Sequence, residues 1–132
     1  GTSTQFYGWI VLNRINLMTT SKYGRKLNVL AQGIVTGYSS GASISYKSYD
    51  NASTLSVSRQ GTGKYRVNFP SNWGLITGSY IVMMTGYGSG LMKATLLEAG
   101  TSYFIAEVSD DSSANDGSFM FQIINLNDWL VL

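Results

Sequence analysis

Cysteine and histidine are absent from the 132 residues, and proline occurs once. Without cysteine there are no disulfides and no thiolate metal site, and the redox compartment leaves no mark. Without histidine the usual general base is missing, and with both gone so are the commonest zinc ligands. Charge is scarce as well. Charged residues make up 12 % of the chain against 44 % hydrophobic, about half the usual charged share. No apolar run reaches the ~18 residues of a membrane span, and no basic-then-apolar leader is read at the start. Membrane insertion is therefore not expected.

What fills the chain is Gly, Ser, Thr, Asn and Tyr, a mixture of β-formers and turn-formers that reads as all-β. A chain of this length suits one domain with a proper core. Few charges on so small a chain suggest that part of the outer surface meets other subunits, because interface centres are depleted in charge. All nine Lys and Arg lie at or before Lys93, with Asp50 the only acid there, and the other six acids follow. The basic residues are scattered and form no stripe, so no nucleic-acid partner is expected. Pairing between the two halves, within a sheet or across a subunit boundary, accounts better for the asymmetry.

The clearest pattern is Ser53–Pro70. Leu55 and Val57 alternate with Thr54, Ser56 and Ser58; after Gly61-Thr-Gly63, Tyr65, Val67 and Phe69 alternate with Lys64, Arg66 and Asn68. Period-two alternation on both sides of a glycine turn marks a hairpin with one buried and one wet face. Matching apolar to apolar sets Gln60 opposite Lys64, Val57 opposite Val67 and Leu55 opposite Phe69. Arg59 then falls opposite Tyr65, where its guanidinium can lie over the ring.

Elsewhere, strands are expected over 27–35, 44–49, 80–85, 92–97, 103–108 and 118–126. Gly33 breaks its strand pattern, as a bulge or a close backbone approach would. Thr36–Ala42 and Ser71–Thr77 read as loops. Tyr80, Val82 and Met84 oppose Ile81 and Met83, and Phe119, Phe121 and Ile123 oppose Met120, Gln122 and Ile124. Strands apolar on both faces suit central positions covered by a second layer or another subunit. Short strands at roughly ten-residue spacing indicate a β-sandwich or jelly roll. Residues 1–25 read as an arm or connector that docks its Trp9–Leu12 run, and 26–132 as the head domain.

Four runs in order carry a resemblance: Ala31-Gln-Gly-Ile-Val35, Ser56–Phe69 with its Gly-x-Gly-x-Tyr-x-Val-x-Phe hairpin, Gly78-Ser-Tyr-Ile-Val82, and Asp116–Asn125 with its Phe-x-Phe strand. Over about residues 27–127 the chain resembles the head domains at the ends of bacteriophage tail fibres, jelly rolls similar to the trimeric complement and tumour-necrosis-factor heads. The resemblance implies a homotrimeric, non-enzymatic virion or extracellular module that binds a cell-surface glycan or outer-membrane protein receptor. A purely structural trimerisation or capping domain, and a monomeric secreted adhesin or carbohydrate-binding module, are the alternatives.

Read as residues, the acidic loop Asp110, Asp111, Asn115, Asp116 lacks the spacing of calcium loops and reads as a turn. Glu98, Glu107 and that loop form no recognisable glycosidase pair. Neither a metal nor another cofactor is expected. The ligand-binding candidates are Tyr38, Tyr46, Tyr49, Trp73 and Tyr87, in or beside Gly/Ser/Asn-rich loops, with Asn115. Rigid aromatics beside adaptable hydrogen-bonding residues suit recognition surfaces. The competing reading has these rings filling corners or subunit contacts.

Overall fold

A computed structural model describes residues 29–88 and 91–126. The arm assigned to 1–25 and the start of the strand expected at Leu27 lie outside the described residues. Val29–Asn125 forms one compact unit of eight strands: β1 Val29–Tyr38, β2 Gly41–Ser48, β3 Ser56–Gly61, β4 Lys64–Asn68, β5 Tyr80–Tyr87, β6 Lys93–Ala99, β7 Tyr103–Ser109 and β8 Ser118–Asn125. They make two four-stranded sheets, ordered β2-β1-β8-β5 and β3-β4-β7-β6, antiparallel throughout. The pairs β1–β8 and β4–β7 nest about each other, and β5 and β6 extend the two sheets on the same side. At the borders β2 lies against β3, and β5 against β6.

Alternation explains what is inside. Ala31, Val35, Phe119, Phe121, Ile123 and Tyr80 face Leu55, Tyr65, Val67, Phe69, Phe104 and Val108, all buried. Phe104 meets Phe121 edge-on at 5.6 Å, and Tyr65 lies 6.3 Å from Phe119. Fully burying each such ring is worth ~1.5–3 kcal/mol, so a Phe→Ala change at either central position costs about 3–5 kcal/mol once its cavity is included.

The hairpin holds its expected register from Val57↔Val67 to Arg59↔Tyr65. At the tip the alignment differs: Gly61 pairs with Lys64, leaving Gln60 in a bulge. The turn is Thr62-Gly63, with Gly63 at φ 71°. Gly33 is the close approach its pattern suggested, since a Cβ there would stand 2.4 Å from the Ser45 carbonyl oxygen.

The largest boundary departure is at the first hairpin. The strand expected to stop at Val35 runs to Tyr38, and β2 begins at Gly41, so Thr36–Ala42 is mostly hairpin strand around Ser39-Ser40. The small polar residues that read as loop serve as outward strand positions, with Gly37 packed beneath them against Tyr65. And β5, apolar on both faces, is a border strand rather than a central one.

Candidate functional site

Because Val29 pairs next to the end of β8, the domain's first and last strands begin and end together. That proximal end carries the 49–55, 69–79 and 100–102 connections; the β1–β2, β3–β4, β5–β6 and β7–β8 connections form the distal end. A ten-residue strand at ~3.3 Å per residue separates the ends by roughly 30 Å.

That distance divides the aromatic candidates. Tyr38 and Tyr87, 46 % and 50 % exposed, stand at the distal end with Asn115, while Tyr49 and Trp73 are proximal. Tyr46 lies half-buried along β2, its Cβ crowding Gly33. The six cannot form one site. Trp73 is a corner: it stacks on Phe69 at 5.4 Å, and its indole N–H donates to Ser53 Oγ at 3.1 Å. Ser53 in turn donates to Asp50 Oδ2 at 2.7 Å, and Asp50 Oδ1 accepts the Ala52 and Ser53 amides. The Ser53 hydroxyl, then those amides, hold the Asp50 carboxyl well below the usual carboxylate range. Tyr49 lies edge-on to Trp73 at 6.1 Å.

The acidic loop at the distal end has two different jobs. Asp110 accepts the Ser112 and Ser113 amides at 2.9 and 3.0 Å and the Asn115 side-chain amide at 3.1 Å, as a turn-making aspartate does. Asp116 points inward. Its Oδ1 accepts Arg59 Nε at 3.0 Å, the Gly63 amide at 3.0 Å and the Tyr65 hydroxyl at 2.6 Å, while Oδ2 accepts Arg59 Nη2 at 3.0 Å. The guanidinium expected over the Tyr65 ring is directed to Asp116 instead, because a bidentate carboxylate outweighs a ring face at a partly wet site. Arg59, followed by the Tyr65 hydroxyl, depresses the Asp116 carboxyl. Burial, followed by Asp116, pushes Tyr65 up to about 12. This polar knot ties β3 and β4 to the β7–β8 connection, and it joins the basic half of the chain to the acidic half. Among the described residues no three His, Cys, Asp or Glu side chains are grouped as a metal would need.

The two outer faces differ sharply. On β2-β1-β8-β5 the outward rows are Lys47–Gln32–Gln122–Met83, Ser45–Ile34–Met120–Thr85 and Ser43–Thr36–Ser118–Tyr87, with Ile124 beside Ile81. Lys47 is the one formally charged side chain among them. Polarity falls from the β2 border to β5, where Met83 is 57 % exposed. A shallow depression of about 470 Å³ opens here around Gln32, Ile34, Lys47 and Met120. On β3-β4-β7-β6 the outward residues include Ser56, Ser58, Lys64, Arg66, Asn68, Tyr103, Ile105, Glu107, Thr95 and Lys93, a wall that carries most of the charge.

No family model, curated protein or solved structure matches this chain. The functional reading therefore rests on the two faces. Alternation separated the two faces of each strand. Their assembly into one nearly uncharged and one charged wall depended on the strand order, which no local pattern encodes.

Proposed function

We propose that the domain is the jelly-roll head of a homotrimeric, tail-fibre-like appendage that binds a cell-surface receptor, with the β2-β1-β8-β5 face turned toward sister copies. The observation that carries this is the near absence of charge on that outer face, with Ile81, Met83 and Tyr87 exposed along β5 and Ile34 beside Met120. A face with so little charge suits a subunit contact, because interface centres are depleted in charged residues. The polarity gradient favours a rotation axis beside β5 and β8, with Lys47 and the serines of β2 outermost. Nested β1–β8 and β4–β7 pairs with sheet-crossing connections support a jelly roll that lacks one hairpin beyond β5 and β6. Grouping three receptor sites on one axis would strengthen weak individual contacts through effective concentration.

Light scattering tests the assembly and adsorption of labelled protein to bacterial cells tests the role. The expected result is three times the 14.4 kDa chain mass, saturable adsorption, and loss of both in Met83→Asp. A folded monomer removes the fibre reading. A trimer that adsorbs to no cell leaves the capping-domain alternative.

A further inference from the structure

On the charged wall one cation is ordered yet unpaired. Arg66, in the middle of β4, has its guanidinium carbon 4.0 Å above the Tyr103 ring centroid, and its Nε donates to Asn68 Oδ1 at 2.9 Å. Its two Nη nitrogens have no hydrogen-bond partner among the described residues, whereas Arg59 spends its fork on Asp116. The Tyr103 hydroxyl donates to Glu98, a short contact that fixes the far edge of the ring. Asn68 Nδ2 donates to Ser56 Oγ at 3.3 Å, and Ser58 lies directly across from Arg66.

We infer that this array is a binding site for a carboxylate-bearing sugar, a uronic or sialic acid residue. The free edge of a guanidinium matches a carboxylate in a two-point, charge-assisted contact. Stacking and the Asn68 bond have already ordered the side chain, so little rotamer entropy remains to be lost on binding. The hydroxyls of Ser56 and Ser58 and the Glu98 carboxylate supply donors and acceptors for ring hydroxyls. The site suits a saccharide better than a peptide strand, because the backbone of β4 is already paired on both sides, and Ile105, across from Arg66 on β7, adds an apolar edge for a sugar ring. The site deepens the receptor-binding reading and rests on it only for its biological partner: it lies on the wall that reading leaves uncovered, and on neither loop end where the aromatic candidates cluster.

The test is NMR titration of the full chain, following the Arg66 Nε–Hε and Tyr103 ring signals. Methyl β-D-glucuronide and 3′-sialyllactose are the acidic probes; methyl β-D-glucoside and lactose are their neutral counterparts. At least one acidic probe is expected to shift both signals saturably, with a millimolar-range dissociation constant, and the neutral sugars are not. Arg66→Lys weakens that binding by roughly tenfold through loss of the fork, and Arg66→Gln abolishes it while the amide spectrum stays native. Equal shifts with neutral sugars, with sodium acetate or with a hexaglutamate peptide overturn the assignment, as does binding that survives Arg66→Gln. Cell adsorption separates the two readings. If no acidic probe shifts the Arg66 signals while wild type and Arg66→Gln adsorb equally to cells, this site is wrong and the receptor role stands. If wild type binds glucuronide at Arg66 but adsorbs to no cell, the site stands and the role fails.

Discussion

Removing the Asp116 side chain should cost more than any other surface-reachable substitution, and the cost can be worked from its contacts. Asp116→Ala orphans two enclosed donors, the Gly63 amide and the hydroxyl of the fully buried Tyr65. Each unsatisfied buried group costs ~1–3 kcal/mol. The ion pair adds little, because Arg59 and Asp116 side chains keep 24 % and 18 % exposure and such pairs are worth ~0–1 kcal/mol. The total is about 4 kcal/mol, or roughly 15 °C in Tm for a domain of this size. Tyr65→Phe removes one of the orphans, so the double variant should cost ~1–2 kcal/mol less than the sum of the singles. Asp110→Ala, which breaks only solvent-facing turn bonds, should cost under about 1 kcal/mol. Urea unfolding at one fixed protein concentration measures all four. An Asp116→Ala cost below about 1 kcal/mol, or strict additivity with Tyr65→Phe, would refute the idea that this carboxylate closes the distal end.

Gly37→Ala places a Cβ 2.1 Å from the Tyr65 hydroxyl oxygen and 2.6 Å from the Gly117 carbonyl oxygen, so thermal melts should show a loss of about 3 kcal/mol, the upper end for overpacking; Gly61→Ala, with nothing within 4 Å, should be tolerated. Acid lowers stability because the Asp50 and Asp116 carboxyls are depressed in the fold: their contribution is complete above about pH 4 and is lost as pH falls toward their folded values. Circular dichroism against pH should show that decline for wild type and a smaller one for Asp116→Asn. At the other extreme, Tyr65 and Tyr80 are pushed up to about 12, chiefly by burial. The stability they add is complete below about pH 10 and is lost as pH rises toward 12, so phenolate absorbance should contain these two late-titrating rings besides Tyr103, which its bond to Glu98 also raises. Trp73→Ala opens the stack on Phe69 and frees Ser53, and should lower stability by about 3 kcal/mol, whereas exposed Tyr87→Ala should stay within ~0.5 kcal/mol in the dissociated chain.

Alternation carried most of the fold. The pairing of Val57 with Val67 and the separation of Phe119, Phe121 and Ile123 from Met120, Gln122 and Ile124 followed from a period of two and stand in the structure, while which face of β5 and β8 turns inward did not. What misled was composition. Thr36–Ala42 has the residues of a loop, yet a strand needs only backbone partners, and β8 supplies them through Thr36↔Ser118. Trp73 and Tyr49 share a glycine- and serine-rich setting with Tyr38 and Tyr87, but their neighbours in space, Phe69 and Ser53, decide that the proximal pair builds a corner. The Arg59–Asp116 contact joins residues 57 positions apart, and no spacing rule could have paired them. Arg66 was placed on the wet face by alternation, while its seat over Tyr103 required knowing that β4 lies beside β7.

Oxidation of Met83, read by mass spectrometry against free N-acetylmethionine in the same tube, tests the covered face most directly. Met83 is 57 % exposed on a single copy and sits where sister copies are placed by the account. With dilute peroxide it should be protected at high protein concentration, and it should react at the rate of the free standard once dilution or Met120→Asp separates the copies. A Met83 that oxidises as fast as the standard at every concentration, in a chain that remains folded, would contradict the account.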